Sequence, residues 1–288
     1  MKRIFALLKV ILTDFQNKLS EMCALLCLQI RYGRKFMTTI NDIYDFFESF
    51  APTESAMDFD NVGLLVGDKN ATVAKVLVSL DITCEVVNEA QKLGCELIIS
   101  HHPVIFNPIK RLDTNSVPYL LARHGISALC MHTNLDLSED FGVNLCLANA
   151  IGAKNVVKSD KGECLFVGEL EEETEMKAFA DNVKASLNCN GLRYTDVKKC
   201  VKKVAVSSGS GGSEIFAAAQ IGADVLVTGE IKHHEINVAN ELGVNIIDAG
   251  HFKSEDIVIL PLINKLSDNF SDVIFTKSKA YSDNIKFI

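Results

Sequence analysis

Three consecutive segments decide the fold: KVLVSLDI over 75–82, EVVNEAQKL over 85–93 and CELIIS over 95–100, with Gly94 standing between the second and the third. The outer two are short, nearly continuous apolar runs, the pattern of strands covered on both faces. The middle one reads as a helix stopped by Gly94, because glycine takes the left-handed conformation that ends a helix at little steric cost. A strand, a helix and a strand in that order need a crossover connection, which sets the two strands parallel.

Working outward, the same alternation continues. A helix is expected over 117–123, closed by Gly125, then a strand over 126–131 and a helix over 143–151 that ends at Gly152. Upstream, a helix over 40–50 follows Met37-Thr38-Thr39. Pro52 and Ser55 mark a turn, and the polar loop 58–64 enters Leu65-Val66-Gly67. The second half repeats the style after a charged, glycine-containing loop at 158–163. Strands are expected over 165–170, 204–207, 225–228 and 244–247, and helices over 214–221, 235–242 and 254–266. The acidic stretch 171–175 reads as the start of a helix running to 187, since carboxylates suit a helix N-terminus. The expected fold class is therefore α/β: two interlinked lobes with largely parallel sheets, approximately 37–153 and 162–288, linked near 154–161 and free to interleave.

The chain has 288 residues, 48% of them hydrophobic, enough for a core without disulfide staples. Its formal net charge of -8 argues against nucleic-acid binding, which needs clustered Lys and Arg to neutralise phosphates. Nine cysteines are scattered without a C-x-x-C pair, so neither a disulfide framework nor a zinc knuckle is legible, and reduced thiols in a cytoplasmic protein are expected. Cys130, on the strand before His132, is expected to be buried. Residues 1–36 are basic (Lys2, Arg3, Lys9, Lys18, Arg31, Arg34 and Lys35 against Asp14 and Glu21), and Lys9 interrupts the only apolar stretch that resembles a signal peptide. This leader reads as an amphipathic helix, a targeting extension or, preferably, the product of a start upstream of Met37. No stretch reaches the roughly 20 apolar residues that span a bilayer, so no membrane association is expected.

The chemistry gathers at strand ends. His101 and His102 follow the strand at 95–100, His132-Thr133-Asn134-Leu135-Asp136 follow the strand at 126–131, and His251 follows the strand at 244–247. In an open parallel sheet, ligands collect outside the carboxyl ends of the strands, so the three clusters can converge on one crevice. His251 and Glu255 are four residues apart and share a helix face if that stretch is helical. Three imidazoles and two carboxylates are enough for two divalent ions that share a ligand, with zinc, iron and manganese the leading candidates. Each piece alone has a bland explanation: a vicinal His pair is often incidental, and an Asp in a loop is usually a cap. Their joint occurrence at three strand ends carries the inference.

Two further features are weaker. The loop 208–213 (Ser-Gly-Ser-Gly-Gly-Ser) lies between a strand and a helix, where its amides can cradle an anion or simply form a flexible turn. It lacks the lysine of a P-loop. His233 and His234 are expected at the surface or behind the ligands rather than on a metal.

The ordered set Asp60-Asn61-Val62-Gly63-Leu64, Ser100-His101-His102-Pro103, His132-Thr133-Asn134-Leu135-Asp136, Thr228-Gly229-Glu230 and Gly250-His251-Phe252-Lys253-Ser254-Glu255 resembles the Nif-three-like family, whose members carry the label of GTP cyclohydrolase type 2 homologues. The resemblance runs from Met37 to the C-terminus. It implies a dinuclear metal centre held by His101, His102, Asp136, His251 and Glu255, and a toroidal homohexamer. The chain resembles the short form, without a domain inserted in the middle. It departs mildly at Lys253, where a smaller residue is common, and at Ser254, which replaces a frequent Thr; the ligand positions are retained.

Two functions of different class follow as expectations. One is a metal-dependent hydrolase acting on a small nucleotide-like substrate such as GTP, with His132 as the group that transfers a proton. The other is a non-catalytic metal-binding regulatory or scaffold protein, since the sequence supplies metal ligands more clearly than a substrate pocket.

Overall fold

The computed structural model describes residues 37–288, and the basic leader over 1–36, with its upstream-start reading, lies outside the described residues. Thr39 opens helix α1 (Ile40–Glu48) with a reciprocal cap: its hydroxyl accepts from the Asp42 amide, and the Asp42 carboxylate accepts from the Thr39 amide. Strand β1 (Gly63–Val66) then leads to β2 (Lys75–Ser79), α2 (Cys84–Leu93) and β3 (Leu97–Ser100). This is the strand, helix, strand unit legible in the sequence, and Gly94 closes its helix at φ +69°. Next come α3 (Val117–His124), β4 (Ser127–Cys130), the short α4 (Thr133–Asp136) and α5 (Val143–Ala150).

The second half contains β5 (Lys154–Lys158), β6 (Phe166–Glu175), α6 (Met176–Ser186), β7 (Arg193–Tyr194), β8 (Cys200–Ser207), α7 (Ile215–Gln220), β9 (Val225–Thr228), α8 (His233–Leu242), β10 (Asn245–Asp248), α9 (His251–Glu255), α10 (Ile259–Asn269) and β11 (Ile274–Lys277). Two sheets result. One has the order β1-β4-β3-β2-β11 and the other β5-β6-β8-β9-β10-β7. In the first, β4, β3, β2 and β11 run parallel and only β1 is antiparallel. In the second, β8, β9 and β10 form a parallel centre flanked by antiparallel β6 and β5 on one side and β7 on the other.

Each sheet is covered on both faces, as the continuous apolar strands require. Ile40, Ile43 and Phe47 of α1 and Ile259, Leu262 and Leu266 of α10 pack on one side of the first sheet, and Val86, Val87, Ala90 and Leu121 pack on the other. Phe179 and Val183 of α6 cover one face of the second sheet, while Ile215, Ala218 and Ala239 cover the opposite face. Helix α5 joins the two cores, with Val143 in the first and Leu147, Ala148 and Ile151 in the second.

Several sequence expectations change at this level. The expected link at 154–161 contains β5, which pairs with β6, and the last strand, β11, returns to the first sheet beside β2. The acidic stretch 171–175 is strand rather than helix: Thr174 and Glu175 pair with Val201 and Cys200, and Glu175 then caps α6 by accepting from the Ala178 amide. Pairing along β8 outweighs the helical tendency of a glutamate run, whose side chains lie on the exposed side. The expected helix over 254–266 is broken into α9, a 3-10 turn and α10. Strands β7 and β11 went unread because two and four residues carry too little periodicity. Among the described residues, no helix is long and apolar enough to cross a membrane.

Candidate metal centre

The parallel strands of both sheets point their carboxyl ends into one crevice. Asp81 lies just beyond β2, His101 and His102 directly follow β3, and His132 and Asp136 lie beyond β4. From the other sheet come Ser208 and Gly209 after β8, Glu230 after β9 and His251 after β10. The short helix α9 sets His251 and Glu255 on one face, with the His251 Nε2 3.1 Å from Glu255 Oε2.

Around Glu255 the donor atoms close on each other. His102 Nε2 is 3.0 Å from Glu255 Oε2 and 3.3 Å from His251 Nε2. Deeper in the crevice, His101 Nε2 is 3.5 Å from Asp136 Oδ1 and 3.8 Å from Glu255 Oε1. Glu255 thus turns one oxygen to each group. His132 joins the same cluster, its ring centroid 5.1 Å from that of His101 and 5.5 Å from that of His102. Two sets, His101 with His102 and His132, and His102 with His251 and Glu255, each bring one donor atom per residue within 4.8 Å of the others. The six residues singled out from the sequence therefore meet in one place. His233 and His234, by contrast, are exposed on the first turn of α8.

The outer hydrogen bonds settle which nitrogen of each ring carries hydrogen. His102 Nδ1 is 3.0 Å from Asp81 Oδ1, His132 Nδ1 is 2.9 Å from Asp60 Oδ1, and His251 Nδ1 is 3.1 Å from Glu230 Oε1. His101 Nδ1 is 2.8 Å from the Met131 carbonyl. Ionised carboxylates and carbonyls only accept, so each Nδ1 donates and Nε2 is the ring atom turned toward the cluster. The Nε2 atoms of His101, His102 and His251 face the acidic side chains of Glu255 and Asp136. Two imidazole nitrogens 3.3 Å apart need a proton or a metal cation between them, since two bare lone pairs would repel. Ligand atoms held tetrahedrally at zinc–nitrogen distances of about 2.0–2.1 Å stand about 3.3 Å apart, the spacing observed. The buried Nε2 of His101 also lacks a hydrogen-bond partner, as expected of an atom shaped for a metal. The donor set fits a divalent cation.

Electrostatics reinforce the same geometry. Burial pushes the Glu255 carboxyl up, but the imidazoles of His101, His102 and His251 outweigh it and hold the group well below the usual carboxylate range. Burial raises Asp136, and the neighbouring His101 only partly offsets this. For His102 burial disfavours the charged ring, yet Asp81 and Glu255 at its two nitrogens lift it to about 10. Asp60 is held far down: burial opposes ionisation, but hydrogen bonds from His132 and Thr133 prevail.

The structure adds residues whose roles the sequence reading missed. Asp60 and Glu230 stood within recognised motifs but were given no task, and Asp81 was not singled out. The strand-end rule that found the histidines reaches Asp81 too, since it lies two residues beyond β2. The Tyr281 hydroxyl lies against Asp81. The glycine-rich loop also acquires a different meaning. The amides of Gly209 and Gly211 are directed inward to Ser254 Oγ and Thr228 Oγ1, at 3.0 Å each, so they do not form an anion cradle. Gly209, at φ +58°, lies so close to the cluster that a Cβ there would come within 2.2 Å of Glu255 Oε1. The residue is glycine because its backbone forms the wall against which the glutamate is seated.

Comparisons agree with this architecture. The profile of the family described as Duf34/NIF3 (NGG1p interacting factor 3) matches residues 38–284. A Clostridium perfringens protein named GTP cyclohydrolase 1 type 2 homolog is 36% identical over 262 residues, covering 86% of this chain and 99% of that protein. The crystal structure of a Staphylococcus aureus hypothetical protein superposes with a TM-score of 0.80 at 30% identity, covering 88% of this chain and all of the other. A Bacillus cereus protein related to NIF3 also gives 0.80, at 26% identity and with 88% and 100% covered. With residues 38–284 matched by the family model and a relative 36% identical over 86% of its length, this chain belongs to the Duf34/NIF3 family.

Proposed function

We propose that the protein is a dinuclear metal-dependent hydrolase acting on a nucleotide-like substrate. One observation carries this reading: every imidazole of the cluster has its Nδ1 hydrogen held by an acceptor, which makes Nε2 the atom that would take a cation in exchange for any proton it carries. His101, His102, Asp136, His251 and Glu255 would hold two divalent ions. Zinc, iron and manganese all suit imidazole and carboxylate donors. When bound, such a pair polarises an electrophile and makes water acidic enough to ionise near neutral pH.

The chain's own residues supply the remainder. His132 is not required as a ligand, and its ring is partly exposed at the edge of the cluster. Its Nδ1 hydrogen points to the buried Asp60 carboxylate, which would stabilise the ring as it takes up a proton at Nε2. The name shared by the curated relatives supports a purine nucleotide as the substrate class. The family resemblance supports a cytoplasmic homohexamer, and the exposed Phe59, Phe106, Ile109 and Leu112 offer apolar surface for subunit contact.

The test is turnover of GTP and phosphoesters by protein loaded with zinc, manganese or iron. His132→Gln should lower kcat about 100-fold or more with metal content unchanged. Activity no higher than that of Glu255→Gln would remove the hydrolase reading and leave the non-catalytic scaffold, which predicts metal-dependent partner capture instead.

A further inference from the structure

A cavity of about 530 Å³ adjoins the cluster on its second-sheet side, with His251 and Glu230 forming the shared wall. Its size falls within the range of small-molecule sites. One side is apolar: Leu192, Ile231, Ile285 and Phe287. Phe287, from the C-terminal segment, lies on the bare backbone of Gly191, where a Cβ would come within 2.6 Å of the ring. That packing presents a flat aromatic surface, and the ring remains about half exposed, at 53%.

The charges of the cavity are asymmetrically displayed. Arg193 pairs with Asp248, but the arginine side chain is 66% exposed and the aspartate 9%. Lys232 stands 3.9 Å from Glu235, with the lysine 76% exposed and the glutamate 14%. In both pairs the acid sits behind and the cation in front. The two cations are neighbours, since Arg193 donates to the carbonyl of Ile231, the residue before Lys232. On a protein of net charge -8, this cavity offers an anion two exposed cations, each with its paired acid behind it. Glu230, the remaining acid and 57% exposed, is held by Ser210 and His251 at the wall shared with the cluster.

We infer that this cavity is the binding site for a small organic anion with a planar ring, whose acidic group meets Arg193 and Lys232, whose ring lies on Phe287, and whose remaining end reaches His251. The inference rests on the hydrolase reading for its direction, because it names what the metal cluster would act upon, but the contacts themselves belong to the chain alone. The acidic group can be a phosphate or a carboxylate, since both match the exposed cations.

Calorimetry on the full-length, metal-loaded protein tests this with two acids and their neutral counterparts, GMP against guanosine and orotate against uracil. At least one acid should bind about tenfold or more tightly than its counterpart. Lys232→Gln should remove most of that difference, and Phe287→Ala should weaken acid and neutral forms alike. Both side chains are exposed, so both variants should melt with the wild type. The titration is repeated after chelation. Persistent binding of the acid supports the cavity even if the protein proves to have no hydrolase activity. Three results would overturn the inference: no preference for either acid, unchanged binding in both variants, or loss of all binding on chelation.

Discussion

Replacing Asp81 by Asn tests whether the outer carboxylates, and not the ligands alone, set the affinity of the cluster. Asparagine can still accept from His102 Nδ1, so the ring keeps its orientation and loses only the charge behind it. The magnitude can be worked from His102, whose ring is lifted to about 10 from an ordinary 6.5. That difference corresponds to roughly 5 kcal/mol of net preference for positive charge on the ring. Asp81 and Glu255 together produce it, against the burial that opposes it. A cation at Nε2 feels the same carboxylate across the ring, and removing the charge behind a ligating imidazole typically lowers metal affinity about 10- to 100-fold. The assay is competition for zinc against a chromophoric chelator at fixed pH, with thermal melting to verify the fold. A control removes the exposed Lys177–Asp181 pair, remote in the chain and on the surface of α6. An Asp81→Asn protein that folds and binds zinc as tightly as the wild type would refute the reasoning.

Other consequences can be measured alongside. Glu255→Gln removes the carboxylate that faces three imidazoles, and metal affinity should fall by more than about 100-fold, read by elemental analysis after dialysis. Acidification should release metal: His102 keeps its ring proton up to about 10, so at neutral pH a cation must displace it. Affinity therefore rises with pH, by about a decade per pH unit for each proton displaced, and calorimetry in buffers of different ionisation heat should detect that proton. Gly209→Ala should destabilise the fold by about 1–3 kcal/mol and also weaken metal binding, because its Cβ would strike Glu255. Gly222→Ala, at φ +70° with open space around it, should show the backbone strain in urea unfolding but leave metal affinity unchanged.

How much of this was legible beforehand differs from element to element. The unit β2-α2-β3 could be read because continuous apolar runs and a closing glycine are local signals. The first part of β6 was read as a strand over 165–170, but its second part was not, since Glu171–Glu175 becomes extended only through its pairing with β8. The histidines and Glu255 were found from their positions after strands and from a four-residue spacing. Their acceptors were harder: Asp60 is 72 residues from the ring it holds, and Glu230 is 21 from His251. Ordinary loop acids give no sign in sequence of which imidazole they will face. The glycine loop looked like an anion cradle by composition, but close approach to Glu255 explains it instead.

The sequence alone determined the alternation of strands and helices and the residue types able to bind a cation, because periodicity and donor chemistry are properties of short segments. Tertiary structure decided that two sheets turn their carboxyl ends toward one crevice, that each imidazole directs the same nitrogen inward, and that Arg193 and Lys232 stand exposed beside less exposed acids in a neighbouring cavity. Those outcomes depend on distances between segments far apart in the chain, which are fixed only when both cores close.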